Sequence, residues 1–117
     1  MVKIYGIPNC GSVKKAFAWL NENGVKFEFH DFKTEGISAA KITDWLKEQP
    51  LELLLNKQST AWKGLTKVAQ KKAATTSEAI KLMQEHSNLI KRPVIETDKN
   101  VLVGFNEALY NDFLKIK

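Results

Sequence analysis

The opening of this chain, from Val2 to Phe29, changes hydrophobic period twice, and that constrains the fold more than any other feature. Val2 to Tyr5 are short, apolar and β-prone, and Gly6, Pro8 and Asn9 then punctuate a turn. After Cys10, Val13, Ala16, Phe17 and Leu20 recur at helical spacing, and Gly24 marks a helix stop. Val25, Phe27 and Phe29 then alternate with Lys26, Glu28 and His30, the period of a half-buried strand. A strand, helix and strand in this order predict a parallel pair, with the loop before the helix at the carboxyl edge of the sheet.

The rest of the chain supplies further elements. Ser38 is placed to cap a helix carrying Ile42, Trp45 and Leu46, and a shorter apolar run from Leu51 to Leu55 follows Pro50. Lys57 to Lys63 reads as a polar loop. Thr75 and Glu78 have capping-box spacing, which predicts a helix continuing through Ala79, Ile80 and Met83. Two runs, Pro93 to Thr97 and Val101 to Gly104, flank Asp98, Lys99 and Asn100 as a hairpin would. A last helix, capped by Asn106, is expected to bury Leu109, Tyr110, Phe113 and Leu114. With no internal repeat or low-complexity linker, the expectation is one α/β domain around a mixed four-stranded sheet.

Composition narrows the setting. A chain of 117 residues, 44% of them hydrophobic, has material for one core, and its apolar residues are too dispersed for a membrane span. The N-terminus lacks a basic region followed by a long apolar stretch, and one cysteine forms no internal disulfide; both fit a cytoplasmic protein. The balance of 18 Lys+Arg against 13 Asp+Glu, a formal +5, favours an anionic ligand or acidic partner surface. Read along the chain, Lys14, Lys15, Lys71, Lys72, Lys91 and Arg92 are scattered without an aromatic-rich nucleic-acid motif. Solvated faces are the plainer explanation, with no direct nucleic-acid or membrane binding expected.

Cys10 is the residue to single out. Between a strand-ending turn and a helix, its sulfur is expected near the unpaired N–H groups and positive end of that helix, which favours the thiolate, the nucleophilic form. Gly11 and Ser12 leave the approach open, the Ser12 hydroxyl can donate to sulfur, and Lys14 adds positive potential. The alternative is a structural cysteine packed beneath the loop. Arg92, before Pro93 and a strand, offers a permanently charged fork of donors for a thiolate, oxyanion or carboxylate; spacing leaves open an ordinary surface arginine. His30, on the expected polar phase of a strand, and His86, near a helix end, have no ligand spacing, so no metal site is expected. Trp19 and Trp45 follow core-facing spacing, whereas Trp62 belongs to no local motif.

The stretches YGIPNCGSVKKAFAWL, LLNKQSTAWKGL, LIKRPVIE and VLVGFNEALY resemble the ArsC/Spx family of thioredoxin-like proteins, most closely its YffB-like members. They span nearly the whole chain in the family's order. The resemblance implies a thioredoxin-like fold with a helical subdomain inserted at roughly residues 34–90, all within one domain of residues 1–117. It further implies Cys10 as nucleophile, Arg92 as its basic neighbour and Pro93 as the cis-proline of that fold. Asn9, Asn56, Lys57, Gln58, Lys63, Pro93 and Gly104 become candidates for a substrate pocket.

The chain also departs from the family. Val13 stands where thioredoxins and many Spx regulators carry a second cysteine, so Cys10 must act as a monothiol. Asn56 and Gly104 occupy places where glutathione/glutaredoxin-linked arsenate reductases use further arginines, and Gln58 one where YffB-like members often have an arginine. The function implied is thiol-dependent reduction with no bound cofactor, resolved by glutathione or another external thiol, with glutaredoxin as a candidate partner. The alternatives are an Spx-like regulator binding RNA polymerase, and an arsenate reductase lacking the expected arginines.

Overall fold

A computed structural model describes residues 2–114. Four strands form one sheet in the order β2-β1-β3-β4: β1 (Val2–Gly6), β2 (Phe27–Asp31), β3 (Val94–Glu96) and β4 (Val101–Val103). β1 runs parallel to β2, with Ile4 opposite Phe29; β3 is antiparallel to both β1 and β4, with Ile95 opposite Ile4 and Leu102. The mixed sheet with flanking helices is the thioredoxin-like architecture expected.

The chain divides into two compact units. One comprises the described residues up to Glu35 and from Arg92 onward; the other is Gly36–Lys91. In the sheet unit, α1 (Gly11–Glu22) and α8 (Glu107–Phe113) pack on one face of the sheet. Ile4, Ile95 and Leu102 there meet Ala16, Trp19 and Leu20 of α1 and Tyr110 and Leu114 at the end of the chain. The other face carries Tyr5, whose ring lies 4.9 Å from that of His30, with Phe32 of the single-turn α2 (Phe32–Glu35) beyond. His30 is therefore a half-buried aromatic neighbour rather than a solvated one.

β2 starts two residues later than the alternation predicts, because Val25 belongs to the end of α1. Gly24, at φ +68°, takes the left-handed conformation that only glycine adopts cheaply, and Val25 N–H donates to Leu20 C=O at 2.9 Å. Gly24 N–H donates to Asn21 C=O, completing a Schellman motif that joins buried Val25 to buried Leu20.

The helical unit consists of α3 (Ala39–Glu48), α4 (Leu51–Leu54), α5 (Thr60–Lys63), α6 (Lys67–Lys72), α7 (Thr76–Glu85) and a 3₁₀ turn at Ser87–Leu89. Ser38 caps α3 as predicted, accepting from Lys41 N–H at 3.1 Å, and α3 lies against α7. Trp45 and Ile42 of α3 and Ala79 and Met83 of α7 are fully buried. Asn56 N–H to Leu89 C=O, Lys91 N–H to Leu54 C=O and the bridge between Leu55 and Ile90 staple the unit's two halves.

Three expectations need correction here. The stretch from Lys57 to Lys63 is not wholly loop: Ser59 accepts from Trp62 N–H and starts α5. Thr75 precedes α7, but its hydroxyl donates back to Lys72 C=O and caps nothing, so the capping-box spacing is not realised. Asn106 does cap α8, accepting from Leu109 N–H, yet the buried stripe is narrower than predicted. Tyr110 and Leu114 are buried, while Leu109 is 36% and Phe113 48% exposed.

Candidate functional site

Cys10 is the N-cap residue of α1, with extended backbone at φ −101° and ψ 130°. Its carbonyl accepts the first helical bond from Lys14 N–H at 3.0 Å, while its side chain makes no cap bond and is half-buried. No acidic residue lies in the first turn of α1, so nothing there offsets the positive end of a 12-residue helix. Gly11, Ser12, Lys14 and Asn9 are exposed around it. A methyl at Gly11 would meet nothing within 4 Å, so glycine is not needed there for space.

The strand register brings the second half of the site to the same end of the sheet. β1 ends at Gly6, from which the loop leads to Cys10, and Tyr5 of β1 is paired with Val94 of the antiparallel β3. The residues before Val94, half-buried Arg92 and buried Pro93, therefore sit beside that end, and their peptide bond is cis as the resemblance implies. Gly104, at φ +81°, closes the neighbouring edge: its N–H donates to Pro93 C=O at 2.8 Å, and its carbonyl accepts from Tyr110 Oη at 2.8 Å. Tyr110 thereby ties α8 to the strand end that borders the site.

Gly6 is the site residue that strand-and-turn reasoning missed. A Cβ at Gly6 would lie 2.7 Å from Val13 Cγ2 and 3.9 Å from Arg92 Cβ, so the bare backbone lets α1 and the Arg92 segment close on the end of β1. In the sequence it is only punctuation after a strand. Val13, at the place of the second cysteine, is fully buried.

The remaining candidates belong to the helical unit. Asn56 Oδ1 accepts from Gln58 N–H at 3.1 Å, and Lys57 Nζ lies 5.3 Å from the Trp62 ring centroid. Asn56, Lys57 and Gln58 line a cavity of about 390 Å³ that also takes in Glu52 and Lys91. Lys63 is exposed in the last turn of α5. Among the described residues no three His, Cys, Asp or Glu side chains group as metal ligands.

On the opposite face, burial pushes the Tyr5 phenol well above its ordinary value, with the Glu96 carboxylate and the 3.1 Å bond to it adding to the effect and Glu28 and Glu35 contributing less. Burial alone raises Tyr110 likewise. Both phenols are held as neutral donors.

A thioredoxin-like sheet with one cysteine at a helix N-cap and an Arg–cis-Pro step at the same sheet end defines a class of thiol-bearing protein. Residues 5–113 match the ArsC family, and the chain belongs to it. An uncharacterized protein of Haemophilus influenzae is 36% identical over 110 residues, covering 94% of this chain and 96% of its own. The global transcriptional regulator Spx of Streptococcus mutans is 31% identical, over 97% of this chain and 83% of the regulator. Among solved structures, the YffB (PA3664) protein superposes with a TM-score of 0.90 at 34% identity, over 96% of this chain and 97% of that one. An arsenate reductase (ArsC) related protein from Brucella melitensis gives 0.73 at 38% identity, over 98% and 95%. No helix among the described residues is long and apolar enough to cross a membrane.

Proposed function

We propose that this chain is a monothiol oxidoreductase whose nucleophile is Cys10. The observation that carries the proposal is the placement of the chain's one cysteine at the N-cap of α1, half-exposed, with Arg92 leading into the strand beside it. The Cys10 thiolate attacks one sulfur of a disulfide; a new S–S bond forms to Cys10, and the other sulfur leaves as a thiolate. A second, external thiolate then attacks the mixed disulfide, releasing Cys10 and carrying the substrate sulfur away as a disulfide. Val13 at the place of an internal partner makes that external thiol obligatory, and glutathione is the co-substrate proposed, with glutaredoxin as a candidate downstream partner. Free N–H groups at the start of α1 and the Arg92 guanidinium are the donors proposed to stabilise the thiolate or hold a carboxylate of glutathione.

The test is thiol transfer from a mixed disulfide in the presence of glutathione, with mass spectrometry of the protein after exposure to oxidised glutathione. Wild type is expected to gain one glutathione on Cys10. C10S is expected to show neither adduct nor turnover, and R92A to lose about ten- to a hundredfold in rate, the worth of one charge-assisted hydrogen bond. Full activity in C10S overturns the proposal.

One second reading has its own support: relatives named as global transcriptional regulator Spx align along 97–100% of this chain. On that reading RNA polymerase is the partner, and binding to purified polymerase that is unchanged in C10S selects it. Arsenate reduction, suggested by the name of the Brucella relative, is tested directly with arsenate, glutathione and glutaredoxin.

A further inference from the structure

The stretch from Leu53 to Ser77 holds Lys57, Lys63, Lys67, Lys71 and Lys72 and no Asp or Glu. Those five lysines account for the chain's whole formal charge of +5, because the other residues carry 13 basic groups against 13 acidic ones. What looks scattered along the sequence is thus a single basic segment in a chain otherwise balanced.

The fold presents this segment on a fixed frame. Ser59 caps α5, Thr66 caps α6 by accepting from Ala69 N–H at 3.1 Å, and Gln70 Nε2 donates to Trp62 C=O at 2.9 Å, tying one short helix to the other. All five lysines are exposed, and none forms an ion pair among the described residues. Glu78, beside Val68 and Lys72 in a small cavity, is not paired with either helix's lysines. Helix stability does not account for the whole set. Lys63, Lys71 and Lys72 sit in last turns, where cations suit the helix dipole, but Lys67 is the first residue of α6, the end that disfavours one. In the middle stands Val68, 65% exposed and the most exposed of the large apolar side chains among the described residues, with Lys71 and Lys72 at i+3 and i+4 on the same side.

We propose that the α5–α6 face is a docking surface for an acidic protein segment that places an apolar side chain on Val68. Lys67, Lys71 and Lys72 beside one exposed apolar side chain match a carboxylate-rich peptide, in which charge steers the encounter and the apolar contact fixes the register. A phosphate backbone also attracts lysine but has no use for a valine in the centre, and an anionic lipid surface would accept the valine, but one such side chain on helices of four and six residues is too little apolar area to anchor there. The chain's one arginine, the residue type best suited to bidentate phosphate and base contacts, lies outside the segment.

The experiment titrates the full-length ¹⁵N-labelled protein with a synthetic 14-residue Glu/Asp peptide bearing one central Leu, and in parallel with a 20-base-pair DNA duplex and phosphatidylglycerol vesicles. Saturable peptide binding is expected, with amide shifts confined to residues 57–73. It should weaken about fivefold or more between 50 and 300 mM salt, as screened surface charges require. K67Q/K71Q/K72Q, which keeps the helix while removing charge, should weaken it about tenfold, and V68S should weaken it several-fold without changing the salt dependence. A triple variant that binds like wild type, shifts that map elsewhere, no saturable binding, or tighter binding to DNA or vesicles would each overturn the proposal. Binding is read with no thiol chemistry, so its failure and that of the Cys10 mechanism are separable.

Discussion

In the sheet unit, order comes from residues distant in the chain: Lys3 of β1 pairs with Glu96 of β3, and Ile4 with Ile95, across the whole intervening helical unit. In the helical unit, much of the order is local, with Ser38, Ser59 and Thr66 each satisfying an amide three residues on. The difference matters for what each unit can carry. Long-range pairing holds Cys10, Arg92, Pro93 and Gly104 at one sheet end because strands set their register. Short capped helices instead offer exposed positions that tolerate charge, and the lysine-rich segment is found there.

Four measurements would break or sharpen that comparison. The largest effect is expected from W45A, which empties a fully buried site in the helical unit; it should lower stability by about 3–5 kcal/mol in denaturant titration. Hydrogen exchange should show α3 and α7 losing protection first. If β1 and β3 lost protection equally, the two units would be one cooperative whole.

In the sheet unit, both tyrosines have phenols raised above their ordinary value. The folded state favours the neutral form, so this contribution is complete below about pH 10 and is lost as pH rises beyond it, by about 1.4 kcal/mol per pH unit for each tyrosine. Ultraviolet titration should show little tyrosinate until the protein unfolds at alkaline pH. Y110F should remove one of the two delayed titrations.

G6A is expected to cost about 1–3 kcal/mol, since the added methyl overlaps the buried Val13 side chain. The double variant G6A/V13A should recover part of the loss specific to that overlap, while G11A should be tolerated, with open space around it. Smallest is the contrast of caps: S38A should cost about 1 kcal/mol, and T75A less, because the Thr75 hydroxyl bonds backward to Lys72 and caps nothing.

Much of this was legible from the residues. The strand–turn–helix opening, the Ser38 and Asn106 caps and the hairpin before the last helix follow from local rules, since each depends on bonds among near neighbours. The position of Cys10 at a helix start follows from the same rules. Its relation to Arg92 does not, because spacing says nothing about which strand lies beside which.

The sequence by itself determined the order of the four strands and of the helices that follow Cys10, Ser38, Thr75 and Asn106, the absence of an internal partner for Cys10, and the confinement of excess charge to the Leu53–Ser77 stretch. Tertiary structure decided that Arg92 and Pro93 lie at the Cys10 end of the sheet, that Leu109 and Phe113 stay exposed, and that Gly6 must lack a side chain. The physical reason is common to these. Propensity and period act over one or two turns of chain, whereas burial, register and close approach depend on surfaces brought together from distant residues.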